Sequence, residues 1–228
     1  MVEFECKPGY CVKCCTDIVI LPVTLGDLYR TWFYRKKTGE GTSFHNIFRE
    51  LCNDWVAVPS SDSYDIHAMP NSKVPCRNLD RKEKKCSVHG FVRYVGCALF
   101  PEDWLLPAPS YYPDDKKSLN FVNSLECFQG TTLTEERKSR ILQLRDLMDR
   151  EIGVTVKTLE SRILSNSIIK GKPSKRIQKE LFEKIRYISN YKENIRIVRE
   201  NLIKNNILQD YEKLVMTENP GFSYCEEI

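Results

Sequence analysis

The sequence predicts a mainly α protein with minor β: a metal-organised, loop-rich N-terminal domain over 1–130 and a helical C-terminal region over 131–228. Three observations carry this. Nine of the ten cysteines lie before residue 128, and of the eleven prolines all but Pro173 and Pro220 lie in the first 113 residues. Apolar residues recur at helical spacing in two early segments and again from Thr134 onward. Helix-start signals stand ahead of two of these segments, Thr24-x-x-Asp27 and Thr134-Glu135-Glu136.

The elements follow in order. Asp17 to Val23, DIVILPV, is a β-branched run that reads as extended. Leu25, Leu28, Tyr29, Trp32 and Phe33 then form one helix face, broken by Gly39-Glu40-Gly41. Phe44, Ile47, Phe48, Leu51 and Cys52 form a second, which makes Cys52 a packed apolar thiol. Trp55 to Val58 and Tyr64 to Met69 read as short strands. The chain from Pro70 to Pro113 reads as irregular. Beyond Thr134, Ile141, Leu144, Leu147 and Met148 face one way, a break falls near Gly153, and Glu151 to Ser167 resumes the helix. KGKPSK, Lys170 to Lys175, reads as a linker. Ile177, Leu181, Phe182, Ile185 and Ile188 mark a further helix, and Ile195, Val198, Leu202 and Ile203 mark another or its continuation. The tail ENPGFSYCEEI reads as loosely ordered.

With 228 residues the chain can bury a core without covalent staples. Its mean hydropathy of -0.43 is that of a soluble protein, and no apolar run approaches the roughly 18 residues that span a bilayer. The first residues, MVEFECKPGY, show no basic segment followed by an apolar one, so the expectation is a cytoplasmic protein without membrane partners. Net charge is +4, but Lys170 to Lys204 holds eleven Lys/Arg against four Asp/Glu. The favoured reading of that segment is a solvated helix face, because Glu180, Glu183, Glu193 and Glu200 are interleaved. Nucleic acid is the alternative partner. No G-x-G-x-x-G, G-x4-G-K-[ST] or G-x-S-x-G occurs, so no motif supports a dinucleotide, P-loop or hydrolase site.

The cysteines are the outlying feature. Cys6-x4-Cys11-x2-Cys14-Cys15 opens the set, and Cys76, Cys86, Cys97 and Cys127 complete it. In a reducing compartment such a set reads first as metal-binding. Thiolates are soft donors, suited to zinc, copper(I) and iron–sulfur clusters. Zinc sites pair short knuckles, whereas here one dense group precedes remote thiols, which tilts the reading toward iron–sulfur. Neighbouring side chains diverge on a helix or a strand, so Cys14 and Cys15 are awkward ligands for one ion and are read as facing two centres or two roles. Eight thiols could supply two four-ligand sites. Cys225, near the end of the sequence, is followed by Glu226 and Glu227, which excludes a prenylation signal.

The order C-x4-C-x2-C-C, T-x-x-D, then PCRNL at Cys76, CSVHGFVRYVGCALFP from Cys86 to Pro101 and ECFQG at Cys127 resembles the YkgJ-type cysteine-cluster family. That family is described as zinc- or iron-chelating, and the pattern is similar to the cysteine-rich part of flagellin lysine methylases. The resemblance spans residues 4 to 130. It implies metal ligation by Cys6, Cys11, Cys14, Cys15, Cys76, Cys86, Cys97 and Cys127, with the charge of Arg93, four before Cys97, offsetting thiolate charge at the cofactor. Tyr94 stands where the family has Pro, His89 where it has Tyr, and Ala98 where it has Arg. One residue is inserted between Cys86 and Arg93.

The expected cofactor is therefore an iron–sulfur cluster, [4Fe-4S], with Zn2+ as the alternative. The expected role is redox or accessory in a modification pathway with an unidentified protein partner. The alternative is a zinc-stabilised scaffold whose helices bind a protein or nucleic acid. No catalytic residue is identifiable. His45 reads as a surface residue, His67 is uninformative, and His89, three after Cys86, is only a minor alternative to a thiolate ligand. Glu102 and Asp103 of PEDW read as solvated loop carboxylates, and Asp114 to Lys117 as a charged turn.

Overall fold

The computed structural model describes residues 13–16, 22–59, 66–72, 75–87, 90–100, 102–106, 133–159, 175–216 and 221–226. Most of the DIVILPV run, His89, Asp114 to Lys117, 160–167 and most of the KGKPSK linker lie outside them. The described part is mainly helical. In chain order it holds α1 (Lys13–Thr16), α2 (Leu25–Lys37), α3 (Phe44–Leu51), β1 (Cys52–Pro59), β2 (Ile66–Ser72), β3 (Leu79–Asp80), β4 (Lys85–Cys86), α4 (Val95–Leu99), a 3-10 turn (Glu102–Leu105), α5 (Glu135–Thr158), α6 (Lys175–Asn190), α7 (Lys192–Lys204) and α8 (Ile207–Val215).

The capping signal at Thr24 works as read. Thr24 Oγ1 accepts the Asp27 N–H at 3.0 Å, and Asp27 Oδ2 accepts the Thr24 N–H at 3.1 Å, a closed capping box. The other end of α2 is a Schellman close. Glu40 N–H donates to Arg35 O at 2.7 Å and Gly39 N–H to Lys36 O at 3.3 Å. Gly39 takes φ +86°, a conformation in which a Cβ is strained. Between these caps α2 is buried on more than its apolar stripe, since Asp27, Arg30 and Thr31 are enclosed together with Leu25, Leu28, Tyr29 and Phe33. A one-sided surface helix would expose those polar groups, so α2 is the central element.

Both expected strands form. β1 and β2 pair antiparallel from Cys52↔Ser72 to Pro59↔Ile66, with an irregularity between Cys52 and Asp54. The stretch read as irregular contains a second, small hairpin, Leu79↔Cys86 and Asp80↔Lys85. Its turn is held by Asp80 Oδ1, which accepts from Lys82 N at 2.9 Å and Glu83 N at 3.0 Å.

α5 runs unbroken through Gly153, where the sequence predicts a break. A helix-interior glycine costs about 1 kcal/mol relative to alanine. The burial of Glu151, Ile152, Val154 and Thr155 on either side outweighs that cost, and Gly153 itself faces solvent. α6 and α7 are separate helices, divided at Tyr191, and α8 follows after Asn206 at φ +55°. Asparagine tolerates this left-handed conformation better than other side-chain-bearing residues.

The tail is not loose over its described part. Tyr224 is fully buried. Its hydroxyl donates to Phe91 O at 2.6 Å, and its N–H donates to Glu212 of α8 at 2.5 Å. The reason is aromatic packing: the Tyr224 ring lies 5.3 Å from Phe33 and 5.1 Å from Phe222, and Phe222 meets Phe91 edge-on and Tyr34 at a tilt. One hydrophobic core thus joins α2, α3 and α4 to α5, α6, α7, α8 and the tail.

Candidate functional site

The thiol-bearing segments come together through their backbone. Cys76 N–H donates to Cys15 O at 2.8 Å, which ties the short helix α1 to the start of the second hairpin. Cys76 O in turn accepts Leu79 N–H at 3.2 Å, and Leu79 pairs with Cys86 across that hairpin. Ser87 closes its base, donating from both N and Oγ to Asn78 O at 2.8 and 3.0 Å.

Tyr94 links this hairpin to the next thiol. It is buried just before α4, and its hydroxyl pKa is pushed well up, first by burial and then by Cys76, Cys52, Asp27 and Cys97. Arg93 Nη2 donates to Cys97 O at 2.7 Å, so the guanidinium sits over the turn that carries Cys97. The segment is fixed from the far side as well: Tyr211 of α8 donates its hydroxyl to Arg93 O at 2.6 Å.

Of the eight candidate ligands, Cys15, Cys76, Cys86 and Cys97 carry half-buried thiols. Cys14 lies on α1 beside Cys15. Cys6, Cys11 and Cys127 lie outside the described residues. Cys52 is buried at the end of α3, as expected for a packed thiol. Among the described residues, no three His, Cys, Asp or Glu side chains form a group that could hold a metal ion. Cys15, Cys76 and Cys86 lie on one backbone-linked region, and Cys97 lies one turn from the Arg93 guanidinium.

Beneath this region lies an ion network. Arg30, Asp27 and Glu151 are all fully buried. Arg30 Nη2 donates to Asp27 Oδ1 at 2.5 Å, and Nη1 donates to Glu151 Oε1 at 2.5 Å. Thr24 Oγ1 donates to Glu151, and Leu25 N–H donates to Thr155 Oγ1 at 2.9 Å. The Tyr211 ring lies 3.8 Å from the Arg30 guanidinium carbon, a cation–π contact. Two carboxylates thus share one guanidinium. Burial first, and the Glu151 charge second, raise the Asp27 pKa to about 6. Asp27 Oδ1 also accepts Val95 N–H at 3.4 Å, which reaches the start of the Cys97 helix. With no solvent access, this network is structural: it locks α2, α5 and α4 in one arrangement.

Glu102 and Asp103 are not solvated loop carboxylates. Asp103 is fully buried and ion-paired to Arg145 of α5, whose Nη2 also donates to Asp103 O at 3.0 Å. Glu102 lies 3.0 Å from Arg137 Nε. These pairs pin the turn after α4 to α5. His45 is half-buried, not a plain surface residue: its ring meets Phe182 edge-on at 4.9 Å, and burial lowers its pKa.

Spacing could have shown the Asp27–Arg30 pair, which stands at i, i+3 on a helix. Nothing local marks Glu151 as its third member. No helix among the described residues is long and apolar enough to cross a membrane. Compared with family models, with curated proteins and with solved structures, the chain matches none.

Proposed function

We propose that this chain is a metal-cluster protein in which Cys6, Cys11, Cys14, Cys15, Cys76, Cys86, Cys97 and Cys127 are the candidate ligands. The observation that carries the reading is the backbone bond from Cys76 to Cys15. It joins two thiol segments some sixty residues apart, as a shared centre requires. The motif resemblance to the YkgJ-type family supports the same assignment. An iron–sulfur cluster is favoured over zinc by one dense cysteine group with remote partners. When bound, such a cluster would supply one-electron chemistry, and the motif resemblance supports a redox or accessory role in a modification pathway. The chain's own contribution is placement: Arg93 holds positive charge over the Cys97 turn, and the buried Arg30 network holds that turn to the helices.

The second reading, a zinc-stabilised scaffold, is supported by the second hairpin, in which Cys86 pairs with Leu79, three residues after Cys76. Cys76→Ser and Cys97→Ser variants test ligation. Each is expected to lower bound metal per chain, with Cys52→Ser leaving it unchanged. Full metal content in both of the first two variants contradicts the assignment.

A further inference from the structure

A cleft of about 510 Å³ opens between α2 and α7, on a part of the molecule that the thiol reading does not use. That volume lies in the range of small-ligand pockets. Its apolar side is Trp32, half-buried, backed by the Tyr29 ring at 5.8 Å and flanked by buried Ile195. Its polar side is cationic. Lys36 from α2 and Lys192 and Arg199 from α7 all line it.

These cations differ in how far they are engaged. Arg196, also on the rim, is held by Glu193 and Glu200 on its own helix and is neutralised by them. Lys36 stands 5.1 Å over the Trp32 ring. Neither Lys36 nor Lys192 has an ion pair among the described residues. Arg199 donates through Nη2 to the Cys225 and Glu226 carbonyls, and its Nε is buried without a hydrogen-bond partner. The one carboxylate in the lining among the described residues, Glu40, pairs with Arg35 at 3.7 Å. It belongs to the Glu40–Thr42 wall, which the Schellman close at Gly39 fixes in place. The cleft thus brings the aromatic Trp32 together with the positive charge of Lys36, Lys192 and Arg199.

We propose that this cleft binds a nucleoside phosphate, with the base against Trp32 and the phosphate among Lys36, Lys192 and Arg199. Base stacking on an aromatic residue and a phosphate on point charges are separate requirements, and the cleft meets both. The ligand is either a free mononucleotide or one nucleotide of a single strand. The volume, sized for a single nucleotide, favours the free form.

The test is isothermal titration of the full chain, metal content held constant, with adenosine 5′-monophosphate, with a short single-stranded oligonucleotide, and with adenosine and inorganic phosphate alone. The expected result is nucleotide binding, with adenosine and phosphate each weaker by about tenfold or more. The double variant Lys36→Glu/Lys192→Glu alters two exposed side chains, so it is expected to melt like the parent and to weaken nucleotide binding by about tenfold or more. A milder variant, Trp32→Leu, is expected to weaken the nucleotide and leave phosphate unchanged. Tighter binding of the oligonucleotide, with a steep salt dependence, assigns the single-strand source; tighter binding of the monophosphate assigns the free one. Absence of binding by both nucleotide probes at about 1 mM, or unchanged affinity in the charge-reversed variant, overturns the proposal. Neither result depends on whether the cysteines hold metal.

Discussion

Arg30 and Glu151, 121 residues apart in the chain, form an ion pair of 2.5 Å in which neither side chain reaches solvent. The pair joins the helix that follows the first cysteine segment to the longest helix of the second half. Its partner Asp27 extends the contact to Val95, two residues before Cys97. The thiol region and the helices are therefore mechanically one unit at this point.

Removing one member leaves uncompensated buried charge. Arg30→Met is expected to destabilise by about 3–5 kcal/mol, the cost typical of a broken buried pair. The double change Arg30→Met/Glu151→Leu is expected to cost less than the two single changes added together, because it removes one of the two carboxylates that the lost guanidinium would orphan. Chemical denaturation of the four proteins of the cycle checks this. Additive losses would show that the pair is not coupled.

The same network makes stability depend on pH. The folded Asp27 pKa of about 6 lies above its ordinary value of 3.8. A raised carboxyl pKa means that the folded state holds the proton more tightly. Its stabilising contribution is full below pH 3.8 and is lost as pH rises through about 6. Subtracting the Asp27→Asn variant isolates this site. The stability difference, parent minus variant, is expected to fall across that window, as read from denaturant midpoints at a series of pH values. A difference that stays flat or rises would contradict the raised pKa that burial and the Glu151 charge give Asp27.

Two glycines carry backbone demands of different kinds. A Cβ on Gly26 would stand 2.7 Å from Glu151 Oε2 and 3.0 Å from Arg30 Nη1, atoms that the ion pair holds in place. Gly26→Ala is expected to cost about 1–3 kcal/mol by overpacking. Gly39 has open space around it but a φ of +86°. Gly39→Ala is expected to cost about 1 kcal/mol by strain alone, whereas Gly153→Ala, in a solvent-facing helical position, should stabilise by up to about 1 kcal/mol. Thermal unfolding of the three variants tests the order.

Tyr224→Phe removes one hydroxyl from Phe91 O while keeping the ring among Phe33 and Phe222. A loss of about 1 kcal/mol is expected. Tyr224→Ala should cost about 3–5 kcal/mol, as for other buried aromatic rings. A negligible loss in Tyr224→Ala would mean that the tail does not pack.

Much of the fold was legible in the sequence, and the failures share a cause. The capping box at Thr24, the stripes of α2 and α3 and both strands of the first hairpin follow from local chemistry. The uninterrupted α5 and the packed tail do not, because the burial of Glu151, Thr155 and Tyr224 depends on partners more than a hundred residues away. Asp103 misled for the same reason: a short acidic loop motif looks solvated until Arg145 is placed beside it. In the candidate site, the thiols were visible at once. The Cys15–Cys76 backbone bond and the cationic cleft beside Trp32 required the fold.

The central claim is that the cysteines hold a metal cluster. Its most direct test is iron, zinc and acid-labile sulfide analysis of protein purified without oxygen. The expected result is a brown protein with iron and sulfide in comparable amounts, both lost together in Cys76→Ser. A colourless protein with stoichiometric zinc would contradict the iron–sulfur assignment and leave the scaffold reading. A well-folded protein with neither metal would contradict the claim itself.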